Sequence, residues 1–444
     1  HGRRTLRPNF GDSRMTSHRR RDLTGLLDQA VVSGGTLLTT MLFIRGAGME
    51  EFGILSLVWL AMLFGTAVQH AAVIAPAYAL FPKLTSKEAP GFRCWLVLIQ
   101  IVFAALLLGV LAASWYAPGF SLLPKSPGLA PALLFLGARQ AFTFLRLQLF
   151  VADSGPRRAL VVDAIHMIAS VAGLVALGSV GDLNAGSGLI VLGAASGGAA
   201  LLAVPAFLQL GCRFALPKRE LRIRHIHFSK WLVGKALAQW FTANSFLVAL
   251  GTIQGPVALG AVRAAQTLVG VAGVVIQGFE NLVPARAAAV YGDQGSAGLS
   301  SFLRGSMPRW FGYLGLCLLP MITFPGFFLM LLTGGDQAGL EEPLYFFAFG
   351  ALLALGILYL QVCLRAVEKV GVLFWAQLAS GVVGAVAAVP VTMNYGLRGC
   401  MVGIIVQQLV VLGLLLRPTQ ACLRQGAAAD VGEALSGTVR PDPQ

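Results

Sequence analysis

Apolar residues run along this chain in blocks of about 18 or more, separated by short polar or glycine-bearing connections, from Leu26 to the neighbourhood of Leu416. A block of that length crosses a hydrocarbon core of roughly 30 Å as a helix. The pattern predicts about twelve spans, near 26–44, 54–75, 95–113, 129–150, 159–180, 188–210, 231–251, 259–283, 309–332, 343–364, 371–392 and 398–416. Strands are excluded, because transmembrane strands alternate over roughly ten residues, whereas these blocks are apolar on nearly every face.

The few polar positions inside the blocks fall in narrow stripes. In the eighth, Arg263, Gln266, Gly270, Gly273, Gln277 and Glu280 recur at spacings of three and four, which places them on one helix face. Arg139, Thr143 and Arg146 share a face of the fourth block, and Lys235, Gln239 and Thr242 a face of the seventh. Gln29, Ser33, Thr36 and Thr40 do so in the first, and Asp163 and His166 lie one turn apart in the fifth.

An ionisable side chain at membrane depth costs several kcal/mol against lipid and turns to a cavity or a partner instead. Arginine holds phosphate through paired hydrogen bonds and stays charged at any relevant pH, so Arg139, Arg146 and Arg263, with Arg45, Lys235 and Gln266, are candidates for an anion-binding cavity. Asp163, His166 and Glu280 are candidate coupling groups, with a structural ion pair as the competing reading. Arg45 and Lys235 also sit where a long cation snorkels to the headgroups.

Composition agrees. Of 444 residues, 56% are hydrophobic and 12% charged, with a mean hydropathy of +0.75, too little polar surface to cover a soluble core of this size. The net charge of +14 raises nucleic acid as a partner, and the placement of the basic residues excludes it. They follow the connections on one side: seven arginines before Asp22, then Lys83, Lys87, Arg157 and Arg158, and a dense run from Arg213 to Lys230. The other side holds Arg45, Lys125 and Arg398 among Glu50, Glu51, Asp182, Asp336, Glu341 and Glu342. The positive-inside rule then puts both termini in the cytoplasm.

The expected organisation is a basic tail (1–22), an N-lobe of six helices (23–210), a basic linker (211–230), a C-lobe of six helices (231–416) and a cytoplasmic tail (417–444). His225 and His227 are expected to be solvated in the linker. Six cysteines stand singly, with no C-x-x-C and no His/Cys cluster, so no metal and no cofactor is expected. Residues 1–14, ahead of Met15, read as an upstream extension, and the first block is too long for a cleavable signal.

The opening stretch DQAVVSGGTLLTTMLFIRGAGMEEFG (28–53), shifted by 207 positions, falls on KALAQWFTANSFLVALGTIQGPVALG (235–260). Gly48 meets Gly255, Gly53 meets Gly260, and Asp28 meets Lys235. Each half thus opens with a span, a G-x-x-x-x-G connection and a second span, as expected of a parallel repeat. The glycines predict a hairpin hinge that needs positive φ. Asp28 and Lys235 both open the leading helix of a lobe on the cytoplasmic side, and form a candidate gate pair.

The same opening, together with GPVALGAVRAAQTLVG at 255–270, resembles the polysaccharide flippases of the O-antigen (Wzx-type) branch of the MOP superfamily. The resemblance covers the spans in number, order and loop length. It implies an all-α, MATE-like pair of six-helix bundles, not an enzyme, that moves a lipid-linked oligosaccharide built on polyprenyl pyrophosphate across the bacterial inner membrane. Membrane lipids and polysaccharide assembly proteins are its implied partners. Cavity residues vary in this branch, so it implies no particular substrate contact. The alternatives are a cation-coupled MATE-type exporter, disfavoured by the excess of arginine over carboxylate, and a membrane glycosyltransferase or polymerase, disfavoured by short outer connections. A scaffold whose polar stripes are helix contacts is a further one.

Overall fold

The computed structural model describes residues 12–81, 84–85, 87–117, 124–151, 155–211, 217–335 and 340–436, with side chains at all of these except 12–30, 151, 155–156, 370 and 423–436. The described residues are helical apart from short connections. Asp12–Gln69 is one hydrogen-bonded run. A helix of that length would be about 87 Å long, nearly three times a hydrocarbon core. Gly48, at φ 87 and ψ 174, turns it back, so that Phe43 and Phe52 meet with tilted rings, centroids 6.4 Å apart. The result is α1 (12–47) and α2 (49–80), the latter passing through a π-helical turn at His70–Ile74.

Three single crossings follow: α3 (Ala89–Tyr116), α4 (Leu129–Val151) and α5 (Gly155–Val180). The N-lobe closes with α6 (Ala185–Leu208), whose start is fixed by a capping box at Asn184 and by the Ala185 amide donating to Glu51 Oε2 at 2.6 Å.

The C-lobe repeats the plan: α7 (Arg219–Ile253), α8 (Pro256–Gly270 continued over 273–294), and α9 (296–323, with Pro325–Thr333). Then come α10 (Glu341–Ala366), α11 (370–395) and α12 (397–436), with reversals at Gly295 and Gly396. Among the described residues twelve helical segments result, in two six-helix lobes. One end of the bundle carries Gly48 and Gly255 and is called the hairpin end; the other carries the first and last described residues and is the tail end. Apolar side chains such as Leu106, Leu201, Leu316 and Val386 lie outermost, as lipid-facing residues do.

Two boundaries differ from the sequence reading. α7 begins at Arg219, inside the stretch read as linker, because its first turns are packed: His225 is 1% exposed between Phe92 and Trp95, and Ser229 donates to the Ala72 carbonyl at 3.0 Å. His225 is therefore a packing residue and not a solvated one. At the other end, α12 continues to Ser436.

Each lobe has the same vertical order. In the N-lobe an apolar layer at the hairpin end (Phe43, Phe135, Leu136, Leu189) and another at the tail end (Phe92, Leu96, Phe142, Leu149) enclose a polar layer. In the C-lobe the corresponding apolar layers centre on Phe246, Leu250 and Ala388 and on Ile357, Leu364 and Leu415.

Candidate functional site

The N-lobe's polar layer is built by α2, α4, α5 and α6. Asp163, 2% exposed, accepts from Arg146 Nε at 2.5 Å. Arg139 donates to His166 Nε2 at 3.2 Å, and that nitrogen lies 3.1 Å from Ser196 Oγ. The Arg139 guanidinium also sits 5.1 Å from the Phe142 ring centroid, and Gln69 donates to the Gln140 carbonyl at 2.8 Å. The three-residue step from Arg139 to Phe142 and from Asp163 to His166 brings these groups together across the α4–α5 contact. Two of the candidate anion binders and two of the candidate coupling groups thus form one interlocked network, with the carboxylate held by a guanidinium.

Arg263 lies elsewhere. It faces the seam between lobes, in a small, partly open space of about 50 Å³ with Thr36, Thr40, Ser56 and Thr267. Its Nη1 donates to Gln266 Oε1 at 2.5 Å, and among the described residues no carboxylate stands within ion-pair distance. A half-buried cation whose partner is one neutral amide retains most of its capacity to hold an anion.

The remaining candidates are dispersed. Arg45 donates to the Leu331 carbonyl and packs on Gly334, so it ties α1 to the end of α9 at the hairpin end. Lys235 is exposed near the tail end, within electrostatic reach of Arg365. Glu280 is exposed on the tail-end half of α8. The side chain of Asp28 lies outside the described residues.

The two glycines of each motif do different things. Gly48 and Gly255 make the turns with matching backbone angles, φ 87, ψ 174 and φ 87, ψ 177. Gly53 and Gly260 stand within their helices and bring α2 and α8 together. A methyl group on Gly53 would strike the Pro256 carbonyl, and one on Gly260 would lie 2.6 Å from the Met49 carbonyl. Met49 and Pro256 are themselves 207 positions apart, as are the glycines, so the crossing has the pairwise reciprocity of a two-fold axis.

That axis relates two seams, α2 against α7 and α8 against α1. The first is closed along its length: Leu57 on Gly251, Leu60 with Leu247, Phe64 on Trp240 at 5.2 Å, and Ala72 with Ser229. The second follows suit at the hairpin end, where Ile44 and Ala264 share a core and Thr40 and Thr267 line the Arg263 space. Beyond Gly270 the described side chains of α1 and α8 have other partners. α8 bends by 51° at Val271–Ala272, where the amides bond three residues back, to Leu268 and Val269. Its tail-end half then packs within its own lobe, Phe279 on Trp310 and Tyr359, and α1 packs on α5 through Gly35 and Met167. The sequence placed one polar face along an unbroken eighth helix; the bend separates Arg263 and Gln266, on its hairpin-end half, from Gln277 and Glu280 on its tail-end half.

In that lobe the middle layer is a hollow of about 470 Å³, lined by Gln239, Thr242, Gln266, Gln377, Gln407 and Gln408, with Phe346 and Phe347. Gln239, Thr242 and Gln266 are stripe positions in the sequence and Gln407 and Gln408 an adjacent polar pair of the twelfth block, whereas Gln377 carries no such signal, and no periodicity within one helix joins α7, α8, α11 and α12.

No protein-family model and no curated protein sequence matches the chain. Solved structures do. An inward-facing multidrug resistance MATE family transporter of the MOP superfamily superposes with a TM-score of 0.70 at 12% identity, over 90% of this chain and 99% of that one. The lipid II flippase MurJ in an inward closed conformation gives 0.69 at 11% identity, over 95% and 94%. An outward-facing MATE family transporter gives 0.61 at 14%, over 91% and 95%. At such identities the shared property is the fold: this is a multi-pass, all-helical membrane protein with the MATE/MOP architecture.

Proposed function

We propose that the protein is a flippase that carries a polyprenyl-pyrophosphate-linked glycan across the bacterial inner membrane by alternating access, as a step of polysaccharide or O-antigen assembly. The observation that carries this reading is Arg263, half-buried between the lobes, with no carboxylate within ion-pair distance among the described residues, two turns ahead of the bend in α8. The pyrophosphate docks on that guanidinium, while the polyprenyl tail stays in lipid through the α1/α8 seam, which spares a long apolar chain any passage through a polar interior. The tail end is cytoplasmic by the distribution of basic residues.

Transport then exchanges an opening at the tail end for one at the hairpin end, the lobes rocking on the Gly53/Gly260 crossing. Lys235 and Arg365 draw the anion to the cytoplasmic mouth. Asp28 and Lys235 approach when that mouth shuts. No bond is made or broken, and an inside-negative potential favours outward passage of an anion by roughly 2.3 kcal/mol per charge per 100 mV.

A MATE-type exporter of organic cations is the second reading, favoured by the MATE-like fold. It needs an accessible carboxylate, and Asp163 is held by Arg146. The test is a deletion strain complemented with variants. Lipid-linked oligosaccharide is expected to accumulate on the cytoplasmic leaflet, with rescue by wild type and Arg263→Lys but not by Arg263→Gln. Loss of synthesis, or restored dye efflux with unchanged lipid intermediates, overturns the reading.

A further inference from the structure

The Arg263 site accounts for an anion and leaves the larger hollow of the C-lobe without a role. Its volume, about 470 Å³, is that of a small-molecule site. Among the described residues no ionisable side chain lines it, so it selects neither a cation nor an anion. Five carboxamides line it instead, from four different helices. Gln407 is 1% exposed and its Oε1 has no hydrogen-bond partner, while its Nε2 is spent on the Ser380 carbonyl at 3.1 Å. Gln408 Oε1 is buried and equally without a partner. The wall of the hollow thus carries amide hydrogen-bonding capacity that the protein does not use up.

The chemistry narrows what matches that capacity. An acyl or polyprenyl chain offers no donor and would strip five amides of water without replacement. A hydroxyl both donates and accepts, as a carboxamide does, so a molecule with many hydroxyls and no charge matches this wall group for group. Phe346 and Phe347 add apolar faces of the kind on which the C–H side of a sugar ring rests. Gln266 links the hollow to the anion position, because the amide that lines it also accepts from Arg263 at 2.5 Å.

We infer that the C-lobe hollow is a glycan subsite, which holds the uncharged, hydroxyl-rich sugar next to the phosphate while Arg263 holds the phosphate itself. This rests on the flippase reading and divides its substrate between the seam and the C-lobe. Gln239, Gln377 and Gln408 are the specificity-determining residues, and Gln407 is braced by Ser380 as part of the wall.

The test uses the full chain in nanodiscs and two probes that differ in the sugar alone: farnesyl pyrophosphate, and the same lipid bearing N-acetylglucosamine on its terminal phosphate. In wild type the sugar should tighten binding about ten-fold, the effect of a few matched hydrogen bonds in a dry site. Gln377→Met and Gln408→Met keep side-chain volume and should bring the two affinities within about two-fold of each other, leaving the bare lipid unchanged. Arg263→Gln should weaken both probes alike. Melting temperature checks that the variants fold, and Gln239→Leu, at an exposed position, repeats the test where folding is not at stake.

Equal binding of both probes by wild type, or a sugar increment that survives in all three glutamine variants, overturns the subsite while leaving the flippase reading intact. If the glutamine variants weaken the bare lipid as much as the glycosylated one, the hollow holds the tail and the inference is wrong. If neither probe binds, the flippase reading fails and takes the subsite with it.

Discussion

The middle layers of the two lobes occupy the same depth and are built on the same plan, yet one is charged and the other is neutral. In the N-lobe Arg146 pairs with Asp163 and Arg139 with His166, which also meets Ser196, while Gln69 Nε2 is spent on a backbone carbonyl and Gln69 Oε1 and the Gln140 amide are left over. In the C-lobe the polar groups are neutral amides around a space, with acceptors left over. A charge within the membrane must be answered inside the protein, so ionised residues tend to become structure. An amide is cheaper to leave wet or waiting, and so is free to recognise a ligand. Binding specificity in this molecule is accordingly sought among its least charged polar residues, apart from Arg263.

The sharpest way to break that comparison is Asp163→Asn. Removing the carboxylate from beneath Arg146 is expected to cost about 3–5 kcal/mol, read as a large fall in the melting temperature of the purified protein, whereas Gln408→Met should leave melting unchanged within a degree or two. Similar melting for both would erase the distinction between the layers. Next in size are Gly53→Val and Gly260→Val, which place a side chain against main chain of the opposite lobe. About 1–3 kcal/mol is expected for each, the larger loss at Gly53, whose added carbon would strike main-chain oxygen more closely than the 2.6 Å at Gly260; a loss in one alone would mean that the lobes do not share the crossing.

Gly48→Ala and Gly255→Ala test the turns. Backbone with φ near 87 and ψ near 180 is almost glycine-only, and about 1–3 kcal/mol is expected at either site. Denaturant unfolding of the two variants should give matched losses. The smallest effect concerns the exposed tie between lobes at the tail end, where Glu88 meets Lys218 at 3.3 Å. Hydrogen bonds from the Thr85 side chain and backbone, then that lysine, hold the Glu88 carboxyl below its usual range. A lowered folded-state value means that the tie is present at neutral pH and lost as pH falls through that value. Hydrogen exchange at the Thr85 amide should therefore quicken on acidification once intrinsic rates are removed, and not in Glu88→Gln.

Much of the architecture was legible because lipid enforces it. Hydropathy carried the span count, and the 207-position shift of the opening stretch carried the repeat and the positions of Gly48 and Gly255, since a span length and a reversal are one-dimensional facts. Depth of the polar layers was legible too: Arg139, Arg146, Asp163 and His166 were recognisably on facing stripes, though their mutual pairing was one of two open readings. What escaped is what depends on three dimensions. The bend at Val271–Ala272 has no proline and sits between glycines read as a bare helix face. The burial of His225 depends on Phe92 and Trp95, more than a hundred residues earlier. The amide hollow combines Gln239 with Gln408 across four helices, a grouping no single period contains.

The contact of Gly53 with Pro256 and of Gly260 with Met49 is made by main chain on main chain. It behaves as a bearing and not as a latch: no side chain can swing aside to release it, and wear at one face is wear at its mirror image. Fastening is left to ordinary groups nearby, such as Arg45 on the Leu331 carbonyl. Selection can therefore retune how readily this machine opens by editing such fasteners, while its axle stays fixed.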